Sequence, residues 1–262
     1  MARRDDSLQA RLERDLADLK LLEIAKSYRE VLDEAARKGS SMLEVLATLI
    51  GLEQTARQQR ALERRLRQAR LPKQKTLAEY KFDFPKRVPK AAILRLFDCD
   101  FIARQGCAVF IGPTGTGKSH LLTALGYAAA ERGHSIRYTR VVDMINHLVM
   151  AQTNGLLGKA IKAYVRPTLL LLDELGYLPI DKRGADLLFQ VVAARYESGS
   201  IVLTTNRPFR EWGALCNADN TLATALIDRL MHHGEAIVIK GDSYRMRDKD
   251  PEPDPEPDPP SA

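Results

Sequence analysis

Gly112-Pro113-Thr114-Gly115-Thr116-Gly117-Lys118-Ser119 is the stretch whose reading decides the fold. An apolar run, Cys107-Ala108-Val109-Phe110-Ile111, precedes it, and a helical pattern follows in which Leu121, Leu125 and Ala128 share one face. Strand, glycine loop and helix form the setting that a G-x-x-x-x-G-K-[ST] phosphate loop requires. The residue types suit that chemistry. Gly112, Gly115 and Gly117 let the backbone curl so that its N–H groups point at phosphate oxygens, and the helix N-terminus adds partial positive charge. Lys118 is expected to reach the β- and γ-phosphates of ATP, and the Ser119 hydroxyl to ligate Mg²⁺. A turn that binds nothing needs neither.

Downstream, strand and helix patterns alternate. Ser135 to Thr139 reads as a strand, and Val142, Ile145 and Leu148 as a helix face. Asn154-Gly155 breaks the chain, and Lys159, Lys162 and Arg166 follow as a small basic cluster. Thr168 to Glu174 reads as a buried strand ending in two carboxylates. After a phosphate loop, that ending predicts Asp173 on Mg²⁺ and Glu174 as the base that polarises an attacking water. Glu174 also argues against a P-loop kinase, which would exclude water. Ile201 to Asn206 is a further strand, and Ala236 to Ile239 the last. Apolar strands alternating with helices predict an α/β fold, a parallel sheet covered on both faces. Strands of such a sheet carry their C-terminal ends to the ligand crevice, so Asn206 is expected near the γ-phosphate, with a turn-forming role before Arg207-Pro208 as the alternative. Arg229, in a late helix, could reach the ATP of a neighbouring subunit or pair with Asp228.

Upstream, residues 7 to about 70 read as helix. Leu21, Ala25, Tyr28, Leu32 and Ala35 form one apolar stripe, Gly39 is a stop, and Ser41 with Glu44 matches a capping box opening a second helix. Beyond Gln54 that helix becomes basic: Arg57, Arg60, Arg64, Arg65, Arg67, Arg70, Lys73 and Lys75 stand against Glu63 alone. The stripe suits a phosphate backbone, with a solvated helix face as the competing reading. Pro72 ends the helix. Residues 76–100 form a connector, whose aromatic trio Tyr80, Phe82 and Phe84 could cover an adenine ring or anchor the linker on the core.

The chain has 262 residues and a net charge of +6, although the Pro/acid repeat from Asp250 to Pro260 hides part of the positive charge. That repeat cannot bury a core and is expected to be disordered. Cys99, Cys107 and Cys216 form no C-x-x-C pair, which points to a reduced, intracellular protein. No apolar run is long enough to span a membrane, and a cytoplasmic protein is expected.

The order P-loop, Leu-Asp-Glu, Thr-Thr-Asn and Asp-Arg-Leu resembles the initiator and helicase-loader branch of AAA+ ATPases, the DnaC-like proteins. More closely, Asp173-Glu174-Leu175-Gly176-Tyr177-Leu178-Pro179, Thr204-Thr205-Asn206-Arg207, Glu211-Trp212-Gly213, Asp228-Arg229-Leu230-Met231-His232-His233 and Ser243-Tyr244-Arg245 are similar to the IstB-type transposition helper ATPases. The resemblance runs from about residue 15 to 247. It implies binding of ATP and double-stranded DNA, homo-oligomers with ATP at subunit interfaces, DNA bending, and recruitment and stimulation of a transposase. It further implies that Gly112 to Ser119 form the phosphate loop and Asp173 and Glu174 the Walker B pair. Asn206 takes the sensor position, Arg229 the trans-acting finger, and Arg245 a sensor-like arginine. No helical lid is expected after the last strand, which departs from larger AAA+ proteins and argues against a lid-based sensor mechanism. The expected organisation is a helical DNA- or partner-binding domain (1–75), the connector (76–100), an AAA+ ATPase domain (101–247) and the acidic tail (248–262). The related alternative is a helicase loader acting on single-stranded DNA; the long basic N-terminal helix favours DNA over a protein partner.

Overall fold

The computed structural model describes residues 7–84 and 87–244, so Arg245 and the acidic tail lie outside the described residues. The chain forms two compact units that divide between Arg64 and Arg65.

The first unit is helical: α1 (Leu8–Asp18), α2 (Leu22–Lys38) and α3 (Met42–Ala69), the last belonging to this unit as far as Arg64. The sequence predicts unbroken helix up to Gly39, but the chain turns between α1 and α2. Lys20 sits there at φ 56, and the Leu21 N–H closes the turn on the Leu16 carbonyl. A lysine in the left-handed region carries none of the glycine punctuation that marks the turn at Gly39, where φ is 67. The capping box forms as expected, with Ser41 N donating to Glu44 Oε2 at 2.7 Å and Glu44 N to Ser41 Oγ at 3.3 Å.

No side chain of its own caps α2; Glu53 does so from α3. Its carboxylate accepts from Glu23 N (2.7 Å) and Ile24 N (3.3 Å), and Arg57 (3.1 Å) and Arg60 (2.8 Å) donate to its other oxygen. Burial pushes the Glu53 pKa up, but these four donors outweigh it and hold the group below the usual carboxylate range. Leu16, Tyr28 and Val45 are buried, whereas Leu32 of the predicted apolar stripe is exposed, as are Leu43, Leu46 and Ile50 of α3.

The second unit is a five-stranded parallel sheet with helices, in the order β2-β3-β4-β1-β5. Its strands are β1 (Cys107–Ile111), β2 (Ile136–Arg140), β3 (Leu169–Leu175), β4 (Ser200–Thr205) and β5 (Gly234–Val238). The helices preceding β1 are α4 (Lys90–Phe97) and α5 (Asp100–Ala103). Between the strands lie α6 (Lys118–Glu131), α7 (Val141–Thr153), α8 (Leu157–Val165), α9 (Lys182–Arg195), α10 (Trp212–Leu215) and α11 (Asn220–Met231). Leu169 to Leu172 have no exposed surface, as a strand covered on both faces demands, and each contributes about 1.5–3 kcal/mol of apolar burial.

Arg195 fastens the lower edge of this sheet. It is 1% exposed, and its Nη atoms donate to the carbonyls of Tyr164, Val165, Pro167, Thr168 and Ser200. Those carbonyls end α8 and lead into β3 and β4, so one guanidinium gathers them; the Thr168 carbonyl also accepts the Ser200 N–H at 3.0 Å. Burial lowers its pKa to about 10, where it still holds its charge at neutral pH.

Candidate nucleotide-binding site

Because all five strands run the same way, their C-terminal ends meet at one edge. There β1 runs into the loop 112–117, Asp173 and Glu174 end β3, and Asn206 follows β4. A cleft of about 740 Å³ opens at this edge, lined by loop residues Thr114 to Ser119 together with Asp173, Glu174, Thr204 and Asn206.

Three carbonyls of the loop are taken up within the protein. The Pro113 carbonyl accepts from Thr116 Oγ1 (2.9 Å) and Lys118 Nζ (2.7 Å), the Gly115 carbonyl from Tyr244 N (3.0 Å), and the Thr116 carbonyl from Tyr80 OH (3.1 Å). Gly115 and Gly117 both sit at φ 85. A Cβ on Gly115 would lie 2.0 Å from Ser243 Oγ, and one on Gly117 would lie 2.6 Å from the Tyr80 ring. Glycine is therefore required twice over, by conformation and by space. A curled run of amides at the N-terminus of α6 fits a polyphosphate.

The carboxylates are aimed by an irregularity in β3. Pairing with β4 shifts between Leu172 and Leu175, and Glu174 lies at φ 64 with its N–H on Thr204 Oγ1 (2.9 Å). Such a bulge rotates consecutive side chains out of strict alternation. Asp173 stays buried at 3% exposure, while Glu174 is exposed into the cleft. Asp173 accepts from Ser119 Oγ (2.9 Å) and Thr204 Oγ1 on one oxygen and from Tyr138 OH (2.8 Å) on the other. The pairing of Ser119 with Asp173 brings together the oxygen donors that hard, oxygen-seeking Mg²⁺ takes, so these residues fit that ion.

Asn206 lines the cleft, and its buried Oδ1 makes no hydrogen bond. The turn beyond it is closed instead by Thr205, whose Oγ1 accepts from Arg207 N at 3.0 Å. A buried amide oxygen without a donor at a ligand cleft fits a group that meets water or ligand there.

The connector aromatics differ in placement. Tyr80 is buried, an anchor with its OH on the loop and its pKa pushed up to about 12 by burial, and Phe82 packs edge-on against it at 5.0 Å. Phe84 lines the cleft with Tyr244, their rings 5.7 Å apart. Tyr138 carries no sequence signal for the cleft, since tyrosine is common in strands; Thr204 and Tyr244 lie in the motifs quoted above, but nothing local assigns them to the cleft.

Arg229 is elsewhere. It lines a small cavity with Cys107 and Ile201, at the N-terminal ends of β1 and β4, and therefore at the opposite edge of the sheet from the cleft of its own chain. Its Nη1 donates to the Ala225 carbonyl at 3.0 Å, and its guanidinium lies over Phe189 at 4.7 Å, so Asp228 is not what holds it.

The residues of the predicted basic stripe fall in both units. Arg57 and Arg60 are bound to Glu53, and Arg65 Nε donates to the Ala130 carbonyl at the end of α6 (2.9 Å). Lys73 and Lys75 line the nucleotide cleft. Arg64, Arg67 and Arg70 are exposed, as are Lys159, Lys162 and Arg166 on and just after α8, which turns Ala160 and Tyr164 inward. Arg70 also lines a groove of about 690 Å³ with Arg137, Arg140 and Tyr138, alongside the nucleotide cleft.

No helix among the described residues is long and apolar enough to cross a membrane. The chain is 37% identical over 234 residues to an ATP-binding protein of insertion sequence IS21 from Pseudomonas aeruginosa, covering 89% of this chain and 88% of the relative. It is also 37% identical over 226 residues to the ATP-binding protein of insertion sequence IS5376 from Geobacillus stearothermophilus, covering 86% and 90%. Among solved structures, the replication initiator DnaA bound to AMPPCP and single-stranded DNA superposes with a TM-score of 0.55 at 23% identity. That match covers 66% of this chain and 51% of that one, and it places the second unit in the AAA+ fold. The family model for IstB-like ATP-binding proteins matches residues 14–251, and the chain belongs to that family.

Proposed function

We propose that the protein is an Mg²⁺-dependent ATPase that works as a DNA-bound transposition helper, assembling on duplex DNA with ATP between subunits and recruiting a transposase. The observation that carries the catalytic part is the bulge at Asp173-Glu174, which buries one carboxylate beside Ser119 and turns the next into the cleft. Lys118 and the loop amides bind the phosphates, and Ser119 and Asp173 hold Mg²⁺, which offsets phosphate charge when bound. Glu174 takes the proton of the attacking water, and Asn206 positions that water through its otherwise unbonded Oδ1. Arg229 acts on the ATP of the adjacent subunit, a role its distance from its own cleft supports.

The exposed cations on and beside α8, and Arg70 and Arg140 in the adjoining groove, support a phosphate-backbone track. Exposed Leu32, Leu43, Leu46 and Ile50 in the first unit support a protein partner there. The relatives' association with insertion sequences supports transposition as the setting. The testing experiment compares binding to a duplex of about 50 base pairs with an equal single strand, with and without ATP, for the wild type and Glu174→Gln. The expected result is salt-sensitive duplex binding that requires ATP and is prolonged in the variant. Preference for single strand would replace this reading with a helicase loader.

A further inference from the structure

The His232-His233 pair at the end of α11 has no part in the nucleotide site, yet it is organised. We propose that Glu197, His232 and His233 form a binding site for a divalent transition metal of the zinc class. One ligand atom from each lies within 4.8 Å of the others, and Glu197 Oε1 is 3.9 Å from His233 Nε2. His232 Nδ1 is hydrogen-bonded to Tyr196 OH at 2.9 Å, which fixes that ring and leaves Nε2 as its metal-binding atom.

Backbone placement supports the arrangement independently. The His233 carbonyl accepts the Cys107 N–H at 3.2 Å, so the residue is tied to the start of β1. Glu197 follows the end of α9, at φ 54, and brings its carboxylate within reach of the two imidazoles. The His232 and His233 ring centroids are 4.2 Å apart, which brings both imidazoles to one side of the carboxylate.

Two imidazoles and one carboxylate select zinc-class ions over Mg²⁺ or Ca²⁺, which prefer all-oxygen shells. Bonds of about 2.0–2.2 Å require the three donors to draw together, a movement open to exposed side chains. Three protein ligands leave a fourth position for water or for a group from another molecule. The metal ties the C-terminal turn of α9 to that of α11, and Arg229 lines the same small cavity as Glu197 and His233. The site stands apart from the nucleotide cleft, at the opposite edge of the sheet, and does not depend on how that cleft is used.

The test is a Co²⁺ titration of the full-length, tag-free protein, followed by visible d–d absorption, with Zn²⁺ and excess Mg²⁺ as competitors. The expected result is one Co²⁺ per chain, displaced by Zn²⁺ and not by Mg²⁺. Affinity should fall at least tenfold in Glu197→Gln and in His232→Ala, and by a smaller factor in Tyr196→Phe, with far-UV circular dichroism unchanged. Absence of Co²⁺ binding would overturn the proposal. So would binding that survives in both Glu197→Gln and His232→Ala, or that is abolished by Asp173→Asn, which would place the ion in the nucleotide cleft.

Discussion

Tyr138→Phe removes one oxygen and tests how the nucleotide cleft is held before ligand arrives. The Tyr138 hydroxyl donates to Asp173 Oδ2 at 2.8 Å, and burial with the adjacent carboxylate raises its pKa far above neutrality, so it remains a donor at any working pH. Asp173 is 3% exposed, with Ser119 and Thr204 both on its other oxygen. Phenylalanine therefore leaves Oδ2 of a buried carboxylate without this donor. A hydrogen bond to a charged group is worth roughly 1.5–3 kcal/mol, and half-burial of Tyr138 favours the low end, because some water can enter. At about 2–4 °C per kcal/mol for a unit of this size, the melting temperature should fall by about 3–6 °C without nucleotide. With Mg²⁺ and ATP the gap should narrow, since the cation then compensates the same carboxylate. Differential scanning calorimetry with and without Mg-ATP measures both numbers. A variant melting within about 1 °C of wild type in the absence of nucleotide would refute the view that Tyr138 stabilises the charged Asp173.

Asn206→Ala should leave stability within about 0.5 kcal/mol of wild type, because its buried Oδ1 has no partner to lose, while kcat falls by about 10²-fold with KM little changed in steady-state ATPase assays. Arg195→Met strips donors from five carbonyls and should cost at least ~3 kcal/mol in urea unfolding followed by circular dichroism. Glu53 has a depressed folded-state pKa, so its stabilisation is fully present above the unfolded value near 4.5 and is lost as pH falls through the folded value. Acid titration of helicity should accordingly show the first unit weakening below about pH 4.5, and Glu53→Gln should lower stability at neutral pH and flatten that dependence.

The second unit is legible in the sequence because each of its signals is local. The glycine loop, the four-leucine run before Asp173 and the apolar run before Asn206 place three strand ends, and parallel connectivity brings those ends together. What escapes is whatever depends on contacts distant in the chain. Tyr80 reaches the loop from 36 residues away, and Tyr138 reaches Asp173 from 35. The α1–α2 break rests on a lysine at positive φ, a conformation that composition does not announce. The individual contacts of the basic run are also invisible in its spacing: Arg57 and Arg60 pair with Glu53, Arg65 bonds the end of α6, and Lys73 and Lys75 line the cleft. The place of Arg229 across the sheet from the cleft, beside Cys107 and Ile201, likewise depends on the packing of α11 and not on a local signal.

Subunit mixing tests the central claim most directly, that one chain supplies Glu174 and its neighbour supplies Arg229 to a shared ATP. Glu174→Gln and Arg229→Ala should each hydrolyse ATP at a small fraction of the wild-type rate while still binding it. Mixed in equal amounts, they should regain activity, because some interfaces then pair an intact Glu174 with an intact Arg229. Mixtures no more active than the separate variants, or full activity in Arg229→Ala alone, would contradict the account.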